Sequence, residues 1–177
     1  MSINLLMEDE GQAVIWRGPL ISGAIQQFWR DVHWGELDYL LVDLPPGTSD
    51  AALTVMQSLP LNGILRVTSP QSLSAMVVRK AVKMAQAVDV PILGVIENMA
   101  GFVAPDTGIH YDIFGPSHAG EVAVAAGAPL LARLPIDPAV ASLCDAGEIE
   151  TILRPEIEPL AESLESLVPV SKTHVPH

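Results

Sequence analysis

Residues 38–50 read DYLLVDLPPGTSD: an apolar run that ends in Asp43, followed at once by a Pro-Pro-Gly-Thr turn. A carboxylate at the tip of a buried strand can orient magnesium, usually through water, beside a nucleotide phosphate. Magnesium favours hard oxygen ligands and keeps several waters. Gly47 and Thr48 would then stand near the terminal phosphate. The other reading of Asp43 is a strand-ending acid that starts a turn before prolines. Four apolar residues and an Asp do not separate the two, whereas the longer LLVDLPPGTSD is far more specific.

An acid in that role works opposite a glycine-rich loop with a lysine. The backbone N–H groups and the ammonium there offset the triphosphate charge. None of the 13 glycines opens a G-K-S or G-K-T sequence. The nearest stretches, SGAIQ and HAGEVAV, lack both the lysine and the glycine spacing.

The elements that must hold Asp43 follow from an alternation of patterns. LDYLLVD (37–43), GILRVT (63–68), PILGVIE (91–97) and PLLARLP (129–135) are nearly continuous apolar runs, which read as strands buried on both faces. Residues 18–32 and 72–88 carry apolar stripes at helical spacing, with proline in the first turn of one and Ser72 as N-cap of the other. SHAGEVAVAAG and PAVASLCDAG end on Gly127 and Gly147, each a C-cap glycine. Residues 1–16 suggest a strand at INLLM, and the proline-rich tail after Arg154 leaves room for one short helix around 159–168. Strand and helix in turn predict βαβ units: an α/β fold with a mainly parallel sheet and helices on both faces. Ligands of such sheets sit at the carboxyl ends of the strands. Those ends here are Asp43-Leu-Pro-Pro, Thr68-Ser-Pro, Glu97-Asn-Met and Leu134-Pro-Ile-Asp.

Composition sets outer bounds. The chain has 177 residues, 49% of them hydrophobic, which predicts a core-rich globular protein. A formal net charge of −12 argues against nucleic acid and anionic membrane as partners, since phosphate neutralisation needs clustered Lys and Arg. A single cysteine, Cys144, excludes an internal disulfide framework and fits a cytoplasmic location; it reads as a packed thiol. No signal peptide is expected from MSINLLMEDEGQ, and no run approaches the ~20 apolar residues of a membrane helix.

WRGP (16–19), WGELDYLLVDLPPGTSD (34–50), VTSPQ (67–71), VRKA (78–81), GVIENMAGFV (94–103), DIFG (112–115) and LPIDP (134–138) follow one another in order. Together they resemble the Mrp (ApbC-type) iron–sulfur cluster carrier ATPases of the MinD/ParA-like deviant P-loop superfamily. The resemblance covers roughly residues 1–150 and implies the C-terminal portion of a three-layer P-loop NTPase domain over 1–153, then a tail over 154–177. It implies that Asp43 is the Walker B acid and that Pro46, Gly47 and Thr48 form the switch sensing the terminal phosphate. It implies that Asn98 hydrogen-bonds adenine and that Pro135 and Asp137 belong to the loop closing over the base. An Asn amide offers the donor and acceptor an adenine edge requires. Read without the resemblance, Asn98 is a loop residue bonding its own backbone. The cofactor so implied is Mg-ATP, and the partners are a second copy in a homodimer and iron–sulfur apo-proteins.

Two departures qualify these expectations. The family's K-G-G-V-G-K-[ST] loop has no counterpart in this sequence, so the chain reads as a partial product, not an active ATPase alone. A further polypeptide supplying the phosphate-loop strand is one rescue. The family's C-P-x-C-G, whose cysteines bridge a 4Fe–4S cluster across the dimer, is replaced by Ala104-Pro105-Asp106-Thr107-Gly108. Ala104 cannot ligate iron and Thr107 is a poor substitute for thiolate. Asp106, His110 and Asp112 nearby read as a polar surface loop, and His118 as a surface or cap residue. Two alternatives stand beside the carrier: a non-catalytic dimerisation or scaffold module, and a MinD/ParA-like positioning ATPase.

Overall fold

The computed structural model describes residues 18–45, 49–71, 87–152 and 154–170, in two compact units that divide after Leu61. In the first unit, helix α1 spans Gly18–Asp31 and α2 spans Asp50–Ser58. The sequence reading anticipated α1 and missed α2. Ser49 caps α2 by accepting a hydrogen bond from the Ala52 amide at 3.2 Å, which satisfies one of the helix's free N–H groups. Ala52, Val55 and Met56 form the buried face of α2. The Ser22 and Thr54 hydroxyls meet at 2.7 Å and join the two helices.

Between them lies the first correction. The expected strand at 37–43 forms no ladder with any described strand. Its side chains face solvent, with Leu41 80% exposed and Leu37 and Val42 also exposed. A run of this kind becomes a buried strand only when neighbouring strands take up its N–H and C=O groups and layers cover both faces. The described residues supply neither.

The second unit contains, in order, β1 (Ile64–Thr68), β2 (Ile92–Asn98), β3 (Phe102–Val103), β4 (His110–Tyr111), α3 (Ala119–Ala126), β5 (Leu130–Leu134), α4 (Pro138–Ala146), a 3₁₀ turn (Ile149–Thr151) and α5 (Ile157–Leu167). β1, β2 and β5 make a parallel sheet with β2 in the centre, and β3–β4 is a small antiparallel hairpin. Three of the four expected strands are therefore present. Burial on both faces holds for β2 alone. β1 and β5 flank it and leave Val67 and Leu130 exposed.

Val95 in β2 is fully buried against Val122, Ala123 and Ala126 of α3, with Ile92 and Ala128 at the margin. The stripe 122, 123, 126 is one face of a helix, so α3 covers the central strand. α3 and α4 end on Gly127 and Gly147 as the sequence predicts, and α5 matches the expected tail helix. The helix expected over 72–88 falls outside the described residues up to 86, as does the strand at INLLM. No helix among the described residues is long and apolar enough to cross a membrane.

Candidate functional site

The carboxyl end of β2 carries Glu97 and Asn98. Glu97 is completely buried, yet both its oxygens are satisfied. Ser117 donates its hydroxyl proton toward Oε1 and Oε2 at 2.7 and 2.9 Å, and Arg133 on β5 donates its Nε–H to Oε2 at 2.7 Å. A carboxylate out of water persists when it is paired and hydrogen-bonded, and here both conditions hold.

One residue further, Asn98 is exposed, and its Oδ1 accepts the Met99 amide at 2.9 Å. Met99 has φ +59°, a left-handed conformation that the Asn98 bond helps to hold. The alternative reading of Asn98, a loop residue bonding local backbone, is thus present in the structure. It does not exhaust the amide: among the described residues, no partner takes up the Nδ2 protons or a second lone pair on Oδ1.

The chain then turns through Ala100 and Gly101. Gly101 has φ +102°, and the His110 ring occupies the space a Cβ would need, so only glycine fits. Two backbone bonds join this turn to the loop after β5. Ala100 N–H donates to Leu134 O at 2.9 Å, and Ile136 N–H donates to Gly101 O at 2.7 Å. Asn98 and Leu134 are themselves register partners. The structure therefore brings the Asn98 turn and the Pro135–Asp137 loop side by side.

Within that second loop, Asp137 is the N-cap of α4. Its Oδ1 accepts the Ala139 amide at 2.9 Å, with Pro138 as the first helical residue. The Pro135 carbonyl accepts Arg154 Nη2–H at 3.1 Å. Both residues thus have structural tasks that hold the loop in place.

Asp43 lies in the other compact unit and is exposed. Pro46, Gly47 and Thr48 lie outside the described residues. A base could be met by Asn98 and the Pro135–Asp137 loop. The described residues offer no glycine-rich cradle with lysine for a triphosphate.

Ala104 and Thr107 stand at the tip of the β3–β4 hairpin. Ala104 N–H donates to Ile109 O at 3.0 Å and Gly108 N–H to Ala104 O at 2.8 Å. Neither side chain fits a cluster that takes thiolate ligands. Among the described residues no three His, Cys, Asp or Glu side chains are grouped to hold a metal ion. His110 and Asp112 approach at 3.7 Å, both about half-exposed, as a surface pair. Cys144 is exposed on α4 rather than packed, because α4 buries no residue fully. His118 occupies the N-cap position of α3 without capping it and faces Glu121 at 3.4 Å.

The buried trio Glu97, Ser117 and Arg133 was not anticipated. Its signal in the sequence is an acid inside one apolar run, GVIEN, and a base inside another, LLARL. In neighbouring parallel strands such residues can face each other. One more buried polar group stands apart: the Arg66 Nε in β1 has no hydrogen-bond partner among the described residues, and burial pulls this guanidinium's pKa below its ordinary value.

The sequence matches the ParA profile described as NUBPL iron-transfer P-loop NTPase over residues 1–170. An iron-sulfur cluster carrier protein of Methanocaldococcus jannaschii is 48% identical over 148 residues, covering 83% of this chain and 51% of that protein. The protein of the same name from Deinococcus radiodurans is 47% identical, covering 82% of this chain and 41% of its own length. The chain thus spans about half the length of the relatives it matches. Among solved structures, a nucleotide-binding protein from Archaeoglobus fulgidus in complex with ADP superposes with a TM-score of 0.70 at 44% identity, covering 78% of this chain and 57% of that one. The parallel sheet, the order of the motifs and these likenesses agree: the chain belongs to the ParA family of NUBPL iron-transfer P-loop NTPases.

Proposed function

We propose that this chain carries the base-recognition end, and the magnesium-orienting acid, of an ATP-binding iron–sulfur cluster carrier. The observation that carries the reading is the pair of backbone bonds, Ala100 to Leu134 and Ile136 to Gly101, that holds Asn98 beside Pro135 and Asp137. Asn98 then offers amide protons and a carbonyl lone pair to an adenine edge, and the Pro135–Asp137 loop lies against the base. By the resemblance, Asp43 would orient the magnesium of Mg-ATP, and Gly47 and Thr48 would sense the terminal phosphate. The glycine-rich loop that completes the phosphate site is not among these 177 residues, so hydrolysis is not assigned to this chain alone. Homodimerisation and delivery to iron–sulfur apo-proteins belong to the same reading. So does the cytoplasm, which suits a chain with one cysteine.

An NMR titration of the chain with adenosine, guanosine and Mg-ATP tests this. Adenosine should shift the amides of Asn98, Met99 and Ile136 more than guanosine does. Asn98→Ala should weaken adenosine binding about tenfold. Mg-ATP should gain little over adenosine. Equal responses to the two nucleosides, or none, would overturn the reading.

A second reading is favoured by one observation. Ala104 and Thr107 occupy the hairpin tip where the resemblance places cluster ligands. A scaffold module without cluster chemistry would look like this. Anaerobic incubation with iron and sulfide separates the readings: a stable cluster that disappears on mutating Cys144 would remove the second.

A further inference from the structure

The geometry points to Glu97, Arg133 and Ser117 as a positioning device. It sets the spacing between the Asn98 turn and the Pro135–Asp137 loop, and through that spacing the fit of an adenine base. The inference rests on the base-site reading above.

The need for such a device lies in the sheet. The β2–β5 ladder has a register irregularity between Val95 and Ile96. Upstream of it, Val95 N–H donates to Pro129 O at 2.8 Å. Downstream, the alignment of the strands must be fixed again, because a slip in register turns side chains to the wrong face. Glu97 and Arg133 are register partners in the second pair beyond the irregularity, after Ile96 and Ala132. Their 2.7 Å charge-assisted bond joins the two strands at that point.

The next pair along the ladder is Asn98 and Leu134, and Leu134 O then accepts the Ala100 amide. The ion pair therefore sits one residue before Asn98 on β2 and two residues before Pro135 on β5. Ser117 ties the same carboxylate to a third element. Its Oγ also accepts the Ala119 amide at 3.3 Å, at the start of the helix that covers β2. Glu97 thus joins β2, β5 and the entry to α3 through one buried group. Arg133 and Ser117 are exposed, so replacing either removes no core side chain.

The test uses Ser117→Ala and Arg133→Met, with Glu97→Gln as the direct variant if it folds. Amide hydrogen exchange is read at Ala100 and Ile136, with Val95 as the control upstream of the irregularity. Adenosine affinity is read by NMR titration. The device predicts that exchange at Ala100 and Ile136 rises roughly tenfold beyond any change at Val95, and that adenosine binding weakens by a similar factor. Unchanged exchange at Ala100 and Ile136 would overturn it. So would a uniform rise that includes Val95, which marks general destabilisation, or faster local exchange with adenosine affinity intact. If the unaltered chain does not bind adenosine, the base-site reading falls and takes the positioning role with it. The exchange data, which need no ligand, distinguish that result from failure of the device.

Discussion

Arg133 reaches across from β5 to Glu97 on β2, Nε to Oε2 at 2.7 Å, and the acid is 0% exposed while the base is about half-exposed. Such a pair couples two strands, but its net contribution to stability depends on what replaces it. Losing one partner strands a buried charge, whereas replacing both by apolar groups removes the desolvation cost as well. Arg133→Met alone should destabilise the chain by about 1–3 kcal/mol, at the low end if water reaches Glu97 through the space vacated. Arg133→Met combined with Glu97→Leu should return to within about 1 kcal/mol of the parent. Urea unfolding measures both. Equal losses in the single and the double variant would contradict this account.

Gly101→Ala should be costly for two separable reasons. The backbone there has φ +102°, and the His110 ring fills the position of the added methyl. Strain of this kind costs on the order of 1–3 kcal/mol. His110→Ala on the same chain should recover the steric share and leave the dihedral share. A double-mutant cycle by thermal or urea melting gives the coupling directly. Additive losses would show that the ring yields without cost.

The sequence disclosed the parts of this fold that local pattern determines. GILRVT, PILGVIE and PLLARLP are strands, and the helices ending at Gly127 and Gly147 stop where glycine stops them. YLLVD carries the same local signal and does not become a strand. Its state depends on neighbours that the signal does not contain, and the exposed Leu41 is the consequence. Helix α2 is not legible in the sequence because DAALTVMQS is short and carries only a brief apolar stripe. The strand pattern puts Asn98 and the Pro135–Asp137 loop on one rim of the sheet, and the resemblance alone makes them parts of one base site. The Glu97–Arg133 pair was not legible, since it joins residues 36 apart through a register no local pattern encodes.

Asp137 offers a way to separate capping from ligand binding. Asn and Asp are equivalent at an N-cap, while Ala leaves the first-turn amides without a side-chain acceptor. Asp137→Ala should cost about 1 kcal/mol, and Asp137→Asn almost nothing, in urea melts. If Asp137 also meets the base, Asp137→Asn should still alter adenosine affinity, because an amide replaces a pure acceptor. Identical affinity in the Asn variant would confine Asp137 to the cap.

Arg66 is the opposite case, a cation whose Nε has nothing to hold among the described residues. Its Nε is buried without a partner among the described residues, and burial lowers its pKa. An unsatisfied buried donor costs about 1–3 kcal/mol, so a methionine of similar length should be neutral or stabilising by up to about 1 kcal/mol. The lowered pKa has a definite sign. A group whose folded pKa lies below its unfolded value destabilises the fold while it is charged. That penalty lifts only above the folded pKa, beyond the ordinary pH range, in which an arginine stays protonated. Arg66→Met should therefore shift stability equally at pH 6 and at pH 8. A gain confined to one of those pH values would point to another titrating group.

The hairpin tip gives the most direct test of what the chain has lost. Its turn is held by backbone bonds between Ala104 and Ile109 and between Gly108 and Ala104, which involve neither side chain. The side-chain bond of this turn among the described residues, Thr107 Oγ1 accepting from Ile109 N at 3.4 Å, is long and exposed. Ala104→Cys with Thr107→Cys should therefore leave the hairpin intact and add two thiolates per chain. A 4Fe–4S cluster takes four such ligands, so two copies complete the set. Anaerobic incubation with iron and sulfide should give the double variant a sulfur-to-iron charge-transfer absorption and a dimer on sizing that depends on the added iron and sulfide. The parent, with Cys144 as its single thiol, should show neither. The same absorption in parent and variant would mean that iron is held elsewhere on the surface, and the hairpin would lose its claim to the cluster position.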